Sequence, residues 1–179
     1  MTRLHLFDLD GTLLHGSAAP VEISRQLGLD REIAELERDF AMRRVEPAEY
    51  ARRVRLLWAE LTEARVDAAF VGAPWLLRIR ETWAEIRDRG EYCAVVSLSP
   101  SFFVERLTGR ARGARLCERF GLTRADCVAY GDSLSDAELF GAVPVSVAVN
   151  ADRHLAGLAT HTYAGRDLWD AYELMCGAR

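Results

Sequence analysis

Two pairs of aspartates lie where the sequence predicts that a strand gives way to a loop. Asp8 and Asp10 follow an apolar run and are two residues apart, and Asp132 and Asp136 follow a second apolar run. Carboxylates this close repel one another unless a cation or a shared proton relieves them. The first pair therefore predicts a magnesium site, because magnesium prefers oxygen ligands. The second pair, four residues apart, also fits a capped helix start, so it carries less weight alone.

Ser97 stands at a third predicted strand end, in the segment Ser97-Leu-Ser-Pro. A hydroxyl and free backbone amides at a helix entrance suit an anion such as phosphate. A serine turn or helix cap is at least as good an interpretation of this segment alone. Three strand ends that offer acid, hydroxyl and acid nevertheless favour one shared site.

The elements that must position these residues alternate between strand and helix. Apolar runs at 3–9, 92–96, 127–130 and 143–149 predict strands, and helical periodicity at 75–89, 101–107 and after about 135 separates them. This alternation predicts an α/β fold with a parallel sheet covered on both faces. Ligands of such sheets bind at the carboxyl ends of the strands.

Residues 20–89 have a different texture, with apolar residues recurring every three or four positions and charges between them. The pattern predicts three or four helices before the helix at 75–89. Turn residues at 28–30, 46–47 and 72–74 mark the expected boundaries.

The composition excludes several classes of protein. Of the 179 residues, 50% are hydrophobic and 28% are charged, as in an ordinary globular protein. A net charge of −4 gives no reason to expect nucleic acid or an anionic membrane as partner. Acids interrupt the apolar stretch at the N-terminus too early for a signal peptide, which predicts a cytoplasmic protein. All 23 basic residues are arginine, so the chain has no lysine.

The order of these motifs resembles the haloacid dehalogenase superfamily, in particular its phosphoserine-phosphatase-like branch. Asp8-Leu-Asp-Gly-Thr-Leu matches the first motif of that family, Ser97 the second, and Gly131-Asp132 with Asp136 the fourth. The resemblance implies a Rossmann-like three-layer sandwich with a small all-helical cap after the first strand. The core would comprise residues 1–15 and 75–179, and the cap residues 16–74.

The resemblance also implies a magnesium-dependent phosphatase that acts on a small phosphorylated metabolite. Asp8 would attack phosphorus to give an aspartyl-phosphate, and Asp10 would act as general acid and then as general base. Thr12 and Ser97 would hold phosphate oxygens. Magnesium would be bound by Asp8, the Asp10 carbonyl and Asp132, with Asp136 in an orienting role.

The chain departs from the family at the third motif, which is a lysine. Arg110 is nearest to the expected position, with Arg112 and Arg115 as further candidates, although surface helix arginines are an equally good interpretation. The segment 107–116 is also shorter than in relatives. We therefore expect an irregular chain path there and no cation as close to Asp8 as the lysine should be.

Arg53 matches the position at which phosphoserine phosphatases hold the substrate carboxylate. A solvated basic face paired with Glu46 and Glu49 remains the alternative. The glutamate that those enzymes direct at the substrate amine has no counterpart here, so another phosphorylated acid is as plausible a substrate as phosphoserine. Two other functions stay open, namely a phosphotransferase of the same mechanism and a catalytically weakened relative that binds phosphate or a partner.

Overall fold

The computed structural model of the chain describes residues 2–108 and 116–177. The strands in these residues are β1 (Leu4–Phe7), β2 (Asp10–Gly11), β3 (Leu14–His15), β4 (Tyr92–Val95), β5 (Cys127–Gly131), β6 (Val145–Val149) and β7 (His161–Tyr163). The helices are α1 (Ala19–Arg25), α2 (Asp30–Ala41), α3 (Pro47–Leu57), α4 (Glu63–Gly72), α5 (Ile79–Asp88), α6 (Ser101–Thr108), α7 (Leu116–Phe120), α8 (Ala137–Ala142), α9 (Arg153–Ala156) and α10 (Leu168–Gly177). None of these helices combines the length and the apolar composition that crossing a membrane requires.

Five strands form one parallel sheet in the order β4-β1-β5-β6-β7. β1 has a partner on each side, since Leu4 pairs with Tyr92 of β4 and with Cys127 of β5. Parallel strands are joined by crossovers that lay helices on the faces of the sheet, so an inner strand is apolar on both sides. Each residue of β1 is accordingly buried.

Successive side chains of β1 point to opposite faces of the sheet, where they meet different helices. The Phe7 ring lies 4.4 Å from the Tyr130 ring of β5 and 5.8 Å from the Trp83 ring of α5. Leu6, on the other face, packs in a cluster with Cys127 and with Phe120 of α7. The predicted three-layer α/β sandwich is therefore confirmed.

Residues 19–72 form four helices, α1 to α4, with buried side chains of their own. Ile33 and Leu36 of α2 and Val54 of α3 are buried at the helical spacing of the sequence, and Trp58 donates a hydrogen bond of 2.9 Å to the Ser24 hydroxyl. As the sequence predicts, α2 begins at residue 30, α3 begins at residue 47 and α4 ends at residue 72. The division of the chain into a core and a cap stays a prediction.

The helix predicted from Trp75 begins later, at residue 79. Trp75 bridges to Leu14 and Leu77 bridges to Asp167, so this segment is extended. Arg78 then has a left-handed backbone with φ of 54°, and its guanidinium forms ion pairs with Asp167 and Asp170. Tertiary contacts at these residues outweigh the local helical pattern.

Two further regions differ from the sequence predictions or lie beyond them. The helix expected from about residue 135 begins at Ala137, after a 3₁₀ turn over 134–136. β7 and α10 were not predicted from the sequence. Of the segment 107–116, Leu107 and Thr108 complete α6, whereas residues 109–115 lie outside the described part of the chain, so the expected irregular path is not addressed.

Candidate active site

The three predicted strand ends lie side by side at one edge of the parallel sheet. The Asp8 amide donates a hydrogen bond of 2.9 Å to the Tyr130 carbonyl, which joins the ends of β1 and β5. The Val96 amide donates one of 2.9 Å to the Phe7 carbonyl, which joins the ends of β4 and β1. Asp8 therefore lies centrally, between the loop that bears Ser97 and the loop that bears Asp132.

Two glycines make room for the acidic side chains. Gly11 has a φ of 83°, and a Cβ atom on it would lie 2.1 Å from Oδ2 of Asp132. A Cβ atom on Gly131 would lie 2.5 Å from Cγ of Asp136. Both distances are far inside van der Waals contact, so the carboxylates occupy space that only glycine leaves open.

Asp8, Asp132 and Asp136 form a compact acidic cluster. One carboxylate oxygen from each lies within 4.8 Å of the others. Asp136 is held by the backbone amides of Asp132 and Ser133, which donate to its Oδ2 over 3.1 and 3.2 Å. The Thr12 hydroxyl donates to Oδ1 of Asp132 over 3.3 Å. Three converging carboxylates are a donor set that suits a hard divalent cation such as magnesium.

This cluster differs in membership from the expected ligand set. The carboxylate of Asp136, for which we predicted an orienting role, belongs to it, whereas the Asp10 carboxylate does not. An orienting role for Asp136 also agrees with its hydrogen bonds, because its Oδ2 accepts from the backbone amides of Asp132 and Ser133. The predicted contribution of Asp10 was its backbone carbonyl, which this grouping of side chains does not test.

The electrostatics of the cluster favour protonation or a cation. Burial raises the pKa of Asp8 to about 8, and the negative charges of Asp136, Asp10 and Asp132 add to that shift. Burial and the charge of Asp136 raise the pKa of Asp132 to about 7. Burial also raises the pKa of Asp136, against the two amides that stabilise its charged form. Metal-free carboxylates in this arrangement thus retain protons near neutral pH.

Asp10 is fixed by one hydrogen bond to each carboxylate oxygen. The Ala19 amide, in the first residue of α1, donates to Oδ1 over 2.7 Å. The Ser99 hydroxyl donates to Oδ2 over 2.5 Å. Burial raises the pKa of Asp10, and both hydrogen bonds oppose that rise. Asp10 is therefore held between the loop after β4 and the start of the helical block.

Ser97 accepts a hydrogen bond of 3.0 Å from the Ser99 amide at its Oγ, which leaves its own proton as a donor for an anion. The sequence predicted Ser97 as a phosphate-binding residue, whereas Ser99 was not predicted to have a role. The available signal was the repeated hydroxyl in Ser97-Leu-Ser99. No local pattern connects Ser99 with Asp10, which lies 89 residues earlier.

Arg53 lies on an exposed part of α3, where its Nε donates to Glu49 over 2.7 Å. Its neighbour Arg52 donates to the same carboxylate. These contacts agree with the Glu49 part of the alternative interpretation, a basic face paired with Glu46 and Glu49. The predicted contact of Arg53 with a substrate carboxylate stays a prediction. Arg110, Arg112 and Arg115, the candidate replacements for the lysine, lie outside the described residues.

A second pair of groups in the helical block was not anticipated. The Tyr50 hydroxyl donates to the Glu37 carboxylate, which joins α3 to α2. Burial raises the pKa of Glu37, and the negative charge of Asp10 adds to the shift. Burial also raises the pKa of Tyr50, with added contributions from Glu37 and Asp10. The pair thus lies within electrostatic range of the site.

Comparison with known proteins identifies the same fold and family. The family model described as haloacid dehalogenase-like hydrolase matches residues 5–117, more than half of the chain. The comparison with curated proteins gave no match.

Solved structures with this fold include phosphoserine phosphatase in complex with substrate, with 20% identity, a TM-score of 0.80 and coverage of 97% of this chain and 98% of that one. A phospho-aspartyl intermediate analogue of phosphoserine phosphatase is 21% identical with a TM-score of 0.78, at the same coverage. A HAD family hydrolase from Salmonella enterica serovar Typhi is 16% identical with a TM-score of 0.76, over 94% of this chain and 70% of that one.

Proposed function

The chain belongs to the haloacid dehalogenase-like hydrolase family, and from that premise we propose that it is a magnesium-dependent phosphatase of a small phosphorylated metabolite. The observation that carries this proposal is the convergence of Asp8, Asp132 and Asp136 at one edge of the sheet. Asp10 lies near enough for its charge to raise the pKa of Asp8 and of Asp132. The fold shared with phosphoserine phosphatases supports the same class of reaction.

Asp8 is the proposed nucleophile. Its carboxylate attacks phosphorus, the bond from phosphorus to the leaving oxygen breaks, and an aspartyl-phosphate forms. Asp10 donates its proton to the leaving oxygen in that step. In the second step Asp10 takes a proton from a water molecule whose oxygen attacks phosphorus. The bond between phosphorus and the Asp8 oxygen breaks, which releases inorganic phosphate and regenerates the Asp8 carboxylate.

The acidic cluster fits magnesium because its donors are carboxylate oxygens that are within 4.8 Å of one another and otherwise repel. Asp8 and Asp132 would hold the ion together with the Asp10 carbonyl, and Asp136 would either join them or orient Asp132. When bound, magnesium would neutralise negative charge on the nucleophile and on the phosphate. Thr12 and Ser97, with Arg110, are the proposed phosphate-binding residues.

The proposed substrates are phosphorylated acids similar to phosphoserine. A guanidinium can bind a carboxylate through two hydrogen bonds, and the resemblance to phosphoserine phosphatases assigns this role to Arg53. That block, residues 16–74, is proposed to act as the cap over the site. Phosphotransfer to an acceptor other than water would use the same groups.

A catalytically weakened relative that binds phosphate or a partner is the second candidate, favoured by the absence of lysine from the sequence. Magnesium-dependent hydrolysis of p-nitrophenyl phosphate distinguishes the two. We expect turnover that EDTA abolishes and magnesium restores. Binding of phosphate without turnover would support the weakened relative.

Asp8→Asn tests the covalent mechanism, because it removes the nucleophile with little change in volume. We expect no turnover and an unchanged melting temperature. The matched control Asp88→Asn alters an exposed acid at the end of α5 and should retain full activity. Substantial magnesium-dependent activity in Asp8→Asn would contradict the mechanism. If the wild-type enzyme is active, a screen of phosphorylated metabolites would identify which of them it hydrolyses.

A further inference from the structure

We propose that Ser99 is the residue that positions Asp10 for proton transfer to the leaving oxygen. This inference rests on the proposed phosphatase function and extends it to a residue outside the family motifs quoted above. Its starting point is the hydrogen bond of 2.5 Å from the Ser99 hydroxyl to Oδ2 of Asp10.

The carboxylate of Asp10 has two anchors, and they come from different parts of the molecule. Oδ1 accepts from the Ala19 amide at the start of α1, and Oδ2 accepts from Ser99 in the loop after β4. With one donor on each oxygen, rotation of the carboxylate about its Cβ–Cγ bond is restricted. Ser99 provides the side-chain anchor that belongs to the sheet rather than to the helical block.

Ser99 is itself held in place. Its amide donates to the Ser97 hydroxyl oxygen over 3.0 Å, and the following residue, Pro100, restricts its backbone to extended conformations. The carbonyl of Pro100 accepts from the amide of the fully buried Phe103 in α6. A side chain fixed in this way can define the direction of the carboxylate that it contacts.

The direction matters because general acid catalysis requires the acid within hydrogen-bond reach of the leaving oxygen. An alkoxide is a poor leaving group and needs the proton from Asp10 as the bond to phosphorus breaks. A nitrophenolate is a good leaving group and needs it far less. Loss of the Ser99 hydroxyl should therefore affect kcat/KM for an alkyl phosphate much more than for p-nitrophenyl phosphate.

The experiment compares kcat/KM of wild type, Ser99→Ala and Ser99→Thr on p-nitrophenyl phosphate and on phosphoserine or glycerol phosphate. The parameter kcat/KM is used because it includes departure of the leaving group and excludes hydrolysis of the aspartyl-phosphate. We expect Ser99→Ala to lose about 10- to 100-fold on the alkyl phosphate and less than about threefold on the aryl phosphate. Ser99→Thr retains the hydroxyl and should restore the alkyl activity.

Two controls separate positioning from a general structural effect. Ser101→Ala removes an exposed hydroxyl from the start of α6 and should leave both substrates unaffected. In the Asp10→Asn background, Ser99→Ala should cause no further loss on the alkyl phosphate, since both changes act through one group. A crystal structure of Ser99→Ala should show the Asp10 carboxylate rotated relative to wild type.

Equal losses on both substrates, failure of Ser99→Thr to restore activity, or an unmoved Asp10 carboxylate would each overturn the inference. A wild-type enzyme without activity on either substrate would instead refute the proposed phosphatase function, and the inference would fall with it. If the wild-type protein is active and the activity depends on Asp8, the phosphatase function stands, and a negative result with the Ser99 variants counts against the role of Ser99 alone.

Discussion

The carboxylate of Asp132 lies in the space that a Cβ atom on Gly11 would occupy, 2.1 Å from its Oδ2 atom. The first and fourth motifs of the chain are therefore packed against each other directly. The left-handed backbone of Gly11, with φ of 83°, turns the loop after Asp10 so closely over Asp132 that a Cβ atom at this position would displace the Asp132 carboxylate.

Gly11→Ala should therefore impair the proposed metal site. The added methyl group displaces the Asp132 carboxylate, and we expect loss of most magnesium-dependent activity together with weaker magnesium binding. Gly28→Ala is the matched control, because Gly28 also has a left-handed backbone, with φ of 70°, but open space at its Cβ position. Both variants should lose about 1–2 kcal/mol of stability from the backbone conformation. Equal activity in the two variants would contradict the contact.

Asp132→Ala should weaken the proposed magnesium binding without removing Asp8, the proposed nucleophile. Because one of three converging carboxylates is lost, we expect the magnesium dissociation constant to rise by about 10- to 100-fold or more. Calorimetric titration of magnesium, and the magnesium dependence of kcat, would measure the change. Asp88→Ala removes an exposed acid from α5 and serves as the charge control. Unchanged metal dependence in Asp132→Ala would exclude this residue as a ligand.

The stability of the metal-free protein should fall as the pH rises from about 4 to 8. The folded-state pKa values of Asp8 and Asp132 are raised to about 8 and about 7, above the ordinary value of 3.8. The folded protein therefore retains protons in this window that the unfolded chain has lost, and stability decreases with pH in such a window. Urea unfolding with EDTA at several pH values would measure the slope.

Magnesium should reverse this trend, because it replaces the missing protons on the carboxylates. We expect its stabilising effect to be larger at pH 8 than at pH 5, where protons compete for the same oxygens. In the metal-free protein, Asp8→Asn should reduce the slope of the unfolding free energy against pH by the equivalent of about one proton. A stability of the metal-free protein that rises from pH 5 to pH 8 would contradict the raised pKa values.

The sequence was sufficient to predict the strand ends and the acids that they carry, because both are local properties. An apolar run followed by Asp8-Leu-Asp-Gly-Thr, or by Gly131-Asp132, predicts where a buried strand ends. The contact of Ser99 with Asp10 could not be predicted from the sequence, because the two residues are 89 positions apart and are brought together by the parallel pairing of β1 and β4. The late start of α5 likewise coincides with long-range contacts, since the Leu77 amide donates to the Arg166 carbonyl and Arg78 forms ion pairs with Asp167 and Asp170.

Short elements could not be predicted from the sequence for a different reason. β7 has three residues, too few for an alternating pattern to stand out from a loop. The membership of Asp136 in the acidic cluster depends on a 3₁₀ turn over 134–136 and on amides that fix its side chain. Sequence spacing predicts that Asp136 approaches Asp132, but the directions of the oxygen atoms are set by this backbone geometry.

Arg53→Ala should affect binding of substrates that carry a carboxylate. If Arg53 contacts that group, its removal raises KM for phosphoserine or another phosphorylated acid about 10-fold or more and leaves KM for p-nitrophenyl phosphate nearly unchanged. Arg52→Ala is a close control, because Arg52 lies next in the chain and pairs with the same Glu49. Equal effects of the two variants, or equal effects on both substrates, would show that Arg53 does not bind the substrate carboxylate.

Removal of the buried Tyr130 hydroxyl should lower the stability of the fold without affecting catalysis. His5 and Tyr130 are fully buried, and Nε2 of His5 contacts the carboxylate of Glu91 at 2.9 Å. Burial lowers the pKa of His5, so its neutral ring donates from Nε2 and accepts at Nδ1 from the Tyr130 hydroxyl, 3.1 Å away. Tyr130→Phe keeps the ring against Phe7 but leaves Nδ1 without its donor.

We expect Tyr130→Phe to lower the free energy of unfolding by about 1–3 kcal/mol, because a buried acceptor loses its partner. In a chain of this size each kcal/mol corresponds to a melting temperature lower by about 2–4 °C. Activity well below that temperature should be retained, since Tyr130 contacts Asp8 through its backbone carbonyl. Tyr92→Phe is the control, because Tyr92 is exposed and its ring remains stacked on Phe120. A variant with unchanged stability but reduced turnover would show instead that the Tyr130 hydroxyl acts on the site itself.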